Sequence, residues 1–545
     1  MHFPGNQGGD KTMTATYDVR IEVDAGASRG AYRPLWNWWG YDEPNYTDTA
    51  NGKKLLKEFT ELSPEPPRIR THNLLTSGDG KYALKWGSTN AYTEDADGNP
   101  VYDWTIMDGI FDAYVEAGNI PLIQIGFTPE ALSADTGPYR HSWGLAEAYA
   151  KITTGWAAPP KDLKKWGDLI YAWARHLADR YGEEQVRTWP WEVWNEPDGA
   201  YWTGTVREFF DMYVVSANAV KSAIPGSRIG GPHTCGAFNN PKAQAFLREF
   251  LGYVVAENAP IDFIAFHAKG NPVIWKDHVR MGLHKQLRDI EANLAIVNEF
   301  PTLRHLPTVI GESDPEGCAA CSARVHPQNG YRNGPLYGAY IVESMIRTYE
   351  LSQRAGIEIE GAVTWAFLFE EQPWFDGFRD MATNGVDKAV LNGFRMLGKL
   401  KGEWVEAKSD HAIDIQTIME HGIRDQPDVN AVATRDDTGV SVLVWNYHDD
   451  DVEDGAANVT LALNNLKPGS HKLTHYRMDK DHSNSFGVWK AMGSPQSVTG
   501  EDYKKLEASG QLAVLETSTA DATNGAVTLS THLPRQGVSL IRIDY

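Results

Sequence analysis

The chain has 545 residues, 42% hydrophobic and 23% charged, a globular composition too long for one ordinary core. Its formal charge is −21, and so acidic a surface repels phosphate backbones and anionic membranes, which argues against nucleic-acid and membrane partners. No apolar run reaches the ~20 residues of a membrane span, and no signal peptide is visible at the start, so the expected location is cytoplasmic, or periplasmic after signal removal.

Residues 1–14 read as a polar, disordered tail. Tyr17, Val19, Ile21 and Val23 then alternate with charged neighbours, the pattern of a half-buried strand. From about residue 31 to 397 short apolar runs alternate with helical patterns. A strand near Pro34–Trp39 is followed by runs at Arg68–Leu75, Ile120–Phe127, Trp189–Trp194, Ser227–Gly231, Ile261–His267, Thr308–Gly311 and Gly361–Phe369, eight in all. Between them, Leu163, Trp166, Ile170, Trp173, Leu177 and Tyr181 keep helical spacing behind an N-cap at Asp162 and before Gly182. A second helix is expected from about Pro335 to Ala355, ending at Gly356. Eight strands alternating with helices predict a (β/α)8 barrel over 31–397. The alternative is a doubly wound open sheet, but no Gly-x-Gly-x-x-Gly follows an early strand.

After about residue 400 helical patterns disappear. Val440–Tyr447, Asn458–Leu463, Lys472–Met478, Ala526–Leu529 and Val538–Ile543 read as short strands, which predicts an all-β sandwich over 398–545. The strand within 15–30 is expected to join it. The acidic run His448–Asp454 lacks the spacing of a calcium loop and reads as a solvated turn. Cys318 and Cys321 form a C-x-x-C without a second ligand pair, so a local disulfide or two free thiols is expected rather than a metal site. Aromatic residues reach 11%, including 19 Trp; they suit a large core or a sugar-binding surface alike.

Two strand ends carry the chemistry. Trp191–Pro197 reads WEVWNEP and Thr308–Pro315 reads TVIGESDP. A barrel places its active site where strands run out into loops, so Glu196 and Glu312 are expected in one mouth. Two carboxylates are what glycoside hydrolysis needs, one to protonate the leaving oxygen and one to attack the anomeric carbon. An isolated glutamate after a strand more often caps a helix. Asn195 beside Glu196 is placed to hydrogen-bond a sugar 2-OH, a contact that strengthens in the transition state. The expected reaction needs no metal or cofactor.

These motifs resemble those of glycoside hydrolase family 39, which contains β-xylosidases and α-L-iduronidases, and the resemblance spans about residues 17–545. Asn195-Glu196-Pro197 resembles the acid/base motif, and Glu312 falls at the nucleophile position, 312 − 196 = 116 residues on. Arg70-Thr71-His72, Gly126-Phe127-Thr128-Pro129, Phe369-Glu370-Glu371 and Asn392–Leu397 match family segments in order. The resemblance implies a retaining exo-glycosidase releasing β-D-xylose from xylo-oligosaccharides or aryl xylosides. It further implies sugar contacts from His72, Asn195, His267, Lys269, Glu370 and Glu371. Trp365, ending the eighth strand, either floors the sugar site or packs the barrel core. Phe369-Glu370-Glu371 points to a pentose. His267-Ala268-Lys269-Gly270, Asp198 and Glu312-Ser313-Asp314-Pro315 resemble the iduronidases and keep α-L-iduronide open, with α-L-arabinoside as a further alternative. A carbohydrate-binding protein on an inactive barrel is the reading from another class. Nothing in the sequence sets the oligomeric state.

Overall fold

The computed structural model describes residues 16–139 and 155–545; the tail expected at 1–14 lies outside the described residues. Eight strands close into a barrel in chain order: Trp38–Tyr41, Arg68–Thr71, Ile120–Ile125, Trp191–Val193, Ile229–Thr234, Phe263–Lys269, Thr308–Asp314 and Ile359–Trp365. All neighbours in the ring are parallel, and the last pairs with the first. The central strands are buried along their length, which is why they read as continuous apolar runs rather than alternating ones. Helices cover the outside. The one at Leu163–Tyr181 starts where Asp162 accepts from the Lys164 and Lys165 amides and ends at Gly182. The one at Pro335–Ala355 ends at Gly356, in the left-handed region at φ 66°.

Nine further strands form one sheet, and three two-stranded pairs lie apart from it. Thr16–Ala31 lies inside the nine-stranded sheet, parallel to Ala456–Asn464 and antiparallel to Glu403–Ser409. The two edge strands, Ala513–Ala522 and Val527–Leu533, are joined by a short turn. A sheet whose opposite edges are so connected must fold over on itself. Its own core, including Val19, Ile21, Val23, Val442, Leu461 and Ile541, fills the fold. The expected sandwich is therefore one curled sheet.

Helices do not disappear after residue 400. Ile415–His421, Ser485–Ala491 and Gly500–Ser509 are helical. They are short and lack a long periodic stripe, so pattern alone misses them. The first two have side-chain N-caps, Asp414 and Asn484. Ile415, Ile418 and Met419 pack into the barrel's core cluster, while Trp489 and Leu506 pack with Trp374 and Phe375. Tertiary contact makes these helices, as it does most short ones. Three strands beyond the five expected, Glu403–Ser409, Asp428–Asp436 and Ala513–Ala522, complete the sheet with Thr16–Ala31.

Barrel and sheet share buried side chains. Trp445, Tyr447, Met478, Val538 and Leu540 of the sheet belong to the barrel's cluster. Beside them, Arg347 of helix Pro335–Ala355 donates to Glu343 at 2.7 Å and to Asp428 of the sheet at 2.8 Å. Trp445 Nε1 donates to both carboxylates. Burial, then the Asp428 charge, pushes Glu343 well above the usual carboxylate range. Arg347 is thus the cation between two buried acids. Arg347→Met should cost about 3–5 kcal/mol in urea unfolding, because it strands buried charge; a loss below about 1 kcal/mol, the scale of an exposed pair, would contradict that role.

Candidate active site

Glu196 follows the fourth barrel strand on a turn of unusual backbone. Trp194 has φ 71° and Glu196 φ 44°, a region that costs non-glycine residues roughly 1–3 kcal/mol each and persists only where the surroundings enforce it. The enforcement is visible. The Trp194 amide donates to Ile125 O at 3.0 Å and the Glu196 amide to His233 O at 2.9 Å, tying the turn to the strands on both sides.

Glu312 stands on the seventh strand at a register slip. Pairing with the sixth strand shifts between Ile310 and Glu312, and the fifth strand shifts similarly between Pro232 and Thr234. Such bulges re-aim side chains next to active sites. The inserted residues, Gly311 and His233, face each other: a Cβ at 311 would lie 2.1 Å from His233 Nδ1. Only glycine fits before Glu312.

The two glutamates meet. One oxygen of each, with a ring nitrogen of His267, lie within 4.8 Å of one another. His267 Nδ1 is 2.9 Å from Glu196 Oε1 and 3.8 Å from Glu312 Oε1. Lys269 Nζ donates to Glu312 Oε2 at 2.5 Å and also contacts Asp314. Arg70, fully buried, donates to Glu192 at 2.6 Å, to Asn195 Oδ1 at 3.0 Å and to Glu312 Oε1 at 3.4 Å. Burial alone would raise the Glu312 pKa, but Lys269 first, with His267 and Arg70, outweighs it and holds the carboxyl well below its ordinary range. The donor trio Glu196, His267 and Glu312 has the spacing of a cation site, yet Lys269 and Arg70 already supply its positive charge.

His72 and Trp365 join this group. His72 Nδ1 is 2.6 Å from Asp42 Oδ1, and Nε2 lies 4.0 Å from Glu312 Oε1. Burial, then Arg70, lowers the His72 pKa far below normal, so the ring is neutral with its proton on the Asp42 side. Trp365 packs 4.3 Å from the His72 ring and 4.9 Å from the Arg70 guanidinium. It fits because residue 40 is glycine; a Cβ there would lie 2.3 Å from the indole. Glu370 and Glu371 are engaged elsewhere. Glu370 accepts from Thr49 at 2.7 Å and Asn51 at 3.0 Å, at the start of the helix Ala50–Leu62. Glu371 accepts from Tyr82 at 3.0 Å at an exposed position.

Several further residues build the site, to which the sequence alone assigns no role. Arg70, Glu192, Asp314 and Arg379 form its charged floor, and Trp86, Phe127 and Tyr201 form an aromatic wall, with Trp86 stacked on Phe127 at 4.8 Å. Burial first and the Glu196 charge second push Tyr201 well above its usual pKa. Arg70, Glu192 and Asp314 lie within the strand-end motifs, whereas Arg379 has no local signal.

The sequence profile of glycosyl hydrolases family 39 matches residues 19–528. This chain belongs to that family. The family 39 relatives include a β-xylosidase of Geobacillus stearothermophilus, 28% identical over 497 residues and covering 87% of this chain and 86% of the relative. A mouse α-L-iduronidase is 22% identical over 577 residues, covering 96% and 80%. Among solved structures, a monomeric β-xylosidase of Caulobacter crescentus CB15 superposes with TM-score 0.75 at 24% identity, covering 96% of this chain and 99% of that one; that likeness establishes the shared fold. As a family 39 member the enzyme is a glycoside hydrolase acting on a carbohydrate.

The cationic clamp on Glu312 has a thermodynamic signature. A depressed carboxyl pKa stabilises the fold above the unfolded value of about 4.3, and that contribution is lost as pH falls through the folded value. Lys269→Met removes the nearest cation, so the folded pKa rises toward the unfolded one. Unfolding free energy should then fall less steeply with acid in the variant than in the wild type. An equal slope between about pH 4 and pH 3, the window below the unfolded pKa, would contradict the clamp.

Proposed function

We propose that this enzyme is a retaining exo-β-D-xylosidase, with Glu196 as general acid/base and Glu312 as nucleophile. The observation that carries the reading is the approach of the two carboxylates, with an oxygen of each within 4.8 Å. Retaining glycosidases keep their carboxyls ~5–5.5 Å apart, whereas inverting enzymes leave ~6.5–9.5 Å for a water. The electrostatics divide the roles. Glu312 is held ionised by its cations, as a nucleophile must be. Glu196 is the more open of the two, its side chain 20% exposed against 9% for Glu312, which suits a group that serves first the leaving oxygen and then water.

In the first step Glu312 attacks C1 while Glu196 gives its proton to the departing oxygen. In the second, Glu196 takes a proton from water, which attacks C1 and releases the sugar with its configuration kept. Arg70 donates to Asn195 Oδ1, which leaves the Asn195 amide nitrogen as donor to the sugar 2-OH. The neutral His72 offers Nε2 as an acceptor, since its proton faces Asp42. Trp365 supplies a flat face beneath them.

Xylose is favoured over a uronic acid by the state of Lys269. A C5 carboxylate calls for a charge-assisted donor, and Lys269 already serves Glu312 and Asp314. The division that goes with this reading is a catalytic barrel over 31–397 and a β domain over 398–545 that takes 15–30 as one of its strands.

Glu196→Ala should spare activated aryl xylosides far more than natural xylo-oligosaccharides, because a good leaving group needs no acid. Azide should then yield a retained glycosyl azide, and with Glu312→Ala an inverted one. Equal losses on both substrates, or exchanged products, would reverse or remove the assignment. On the substrate side, 4-nitrophenyl β-D-xylopyranoside should be cleaved well and 4-methylumbelliferyl α-L-iduronide little; preference for the iduronide would overturn the sugar while leaving both glutamates in place.

A further inference from the structure

The C-x-x-C lies next to the support of Glu312. Cys318 and Cys321 are joined by a disulfide, with Cα atoms 5.5 Å apart, in the loop after the seventh barrel strand. Cys321 is buried, while Cys318 is half-buried beside the exposed Gly317, so a small reductant has access to one sulfur. The closed loop turns its carbonyls onto two buried arginines. Arg332 donates to Cys318 O at 2.7 Å and to Cys321 O at 2.8 Å. The Arg379 amide donates to Ala319 O at 3.0 Å. Both guanidiniums then converge on Glu316 Oε1, at 2.5 and 2.6 Å.

From Arg379 the path leads into the site. Its Nε donates to Trp365 O at 2.9 Å, and its Nη2 lies 3.5 Å from Asp314 Oδ2. Asp314 accepts the Trp365 amide at 2.8 Å and faces Lys269, which holds Glu312. An unbroken series of hydrogen bonds and ion pairs therefore runs from the disulfide loop to Glu312. Each member is fixed by the next, and the loop is its outermost element and the only covalently closed one. Opening that loop returns conformational freedom to the carbonyls on which Arg332 and Arg379 are seated.

We propose that the Cys318–Cys321 disulfide is a redox-sensitive positioning element for Glu312, whose reduction by a dithiol loosens Arg332 and Arg379 and lowers turnover through Asp314 and Lys269. The inference rests on Glu312 being the nucleophile. The chemistry is ordinary exchange. A thiolate of the reductant attacks the Cys318 sulfur, and the Cys321 sulfur leaves as a thiolate and takes a proton. The second thiol of the reductant closes it into a cyclic disulfide and expels Cys318, which takes the second proton. Two electrons and two protons pass to the protein. Neither cysteine touches substrate; both act through the arginines.

The test uses the full chain, treated with dithiothreitol under argon and then reoxidised, with thiols counted at each stage. Only Cys235 is free at the outset. On reduction kcat should fall about tenfold, since small misplacements of a reacting group cost up to ~100-fold. The acid limb of kcat/KM should move to higher pH, because a loosened clamp no longer holds the Glu312 pKa down. Both should recover on reoxidation, and Cys318→Ser/Cys321→Ser should sit at the reduced level and ignore the reductant. If that variant does not fold, the reduction and reoxidation series on the wild type decides. Unchanged kcat and pH profile in protein whose Cys318 and Cys321 titrate as thiols would overturn the proposal. So would a disulfide that resists the dithiol in the folded chain, or global unfolding on reduction seen by near-UV circular dichroism. The assay uses whichever aryl glycoside the oxidised enzyme cleaves, so a failed xylose assignment stays separate from a failed redox effect, and an active Glu312→Ala would identify the nucleophile as the faulty premise.

Discussion

The barrel mouth depends on a balance of buried charge. Glu192, Glu312, Asp314 and Glu316 are set against Arg70, Lys269, Arg379 and Arg332 in a contiguous network. Each carboxylate would be expensive to bury alone, and each cation likewise. Together they neutralise one another and fix each other's geometry. The consequence for chemistry is that Glu312 remains ionised deep in the protein, while Glu196 lies outside the cationic cluster and closer to solvent. One fold thus gives two glutamates different surroundings, and the proposed mechanism divides acid from nucleophile along that difference.

Backbone geometry serves the same end. The left-handed turn at Trp194 and Glu196 and the slips at His233 and Gly311 all occur at the strand ends that face the site. Regular parallel strands would alternate their side chains in and out; the slips bring His233, His267 and Glu312 together where alternation would separate them. The cost in backbone strain is absorbed by hydrogen bonds to neighbouring strands. Sites on rigid strands hold reacting groups more closely than sites on loops, and here the strand ends themselves are bent to the purpose.

The sequence revealed the barrel because parallel strands buried on both faces leave long apolar runs, and because capping residues such as Asp162 and Gly356 mark helix ends locally. Glu196 and Glu312 were legible because each follows such a run. The residues that make them work were not. Glu192 and Asp314 look like ordinary strand residues, and Arg379 lies in a loop 67 positions after Glu312 by simple subtraction, 379 − 312. Their meaning exists only once distant strand ends converge. Glu370 shows the converse. A motif suggests a sugar contact, and what it does not show is that the two oxygens also accept from Thr49 and Asn51, far away in the chain. The short helices at Ile415 and Ser485 were hidden for a related reason, since their stability comes from the barrel surface they touch.

The proposed mechanism requires Glu312 to form a covalent bond to the sugar. Incubation with 2,4-dinitrophenyl 2-deoxy-2-fluoro-β-D-xyloside tests this most directly: the fluorine slows both steps by destabilising the oxocarbenium-like transition state, while the good leaving group restores the first, so the intermediate accumulates. Mass spectrometry of the digested protein should then find one fluoroxylosyl group, on the peptide carrying Glu312, with loss of activity in step with labelling. A label on Glu196, or turnover that continues with no label on either glutamate, would contradict the mechanism.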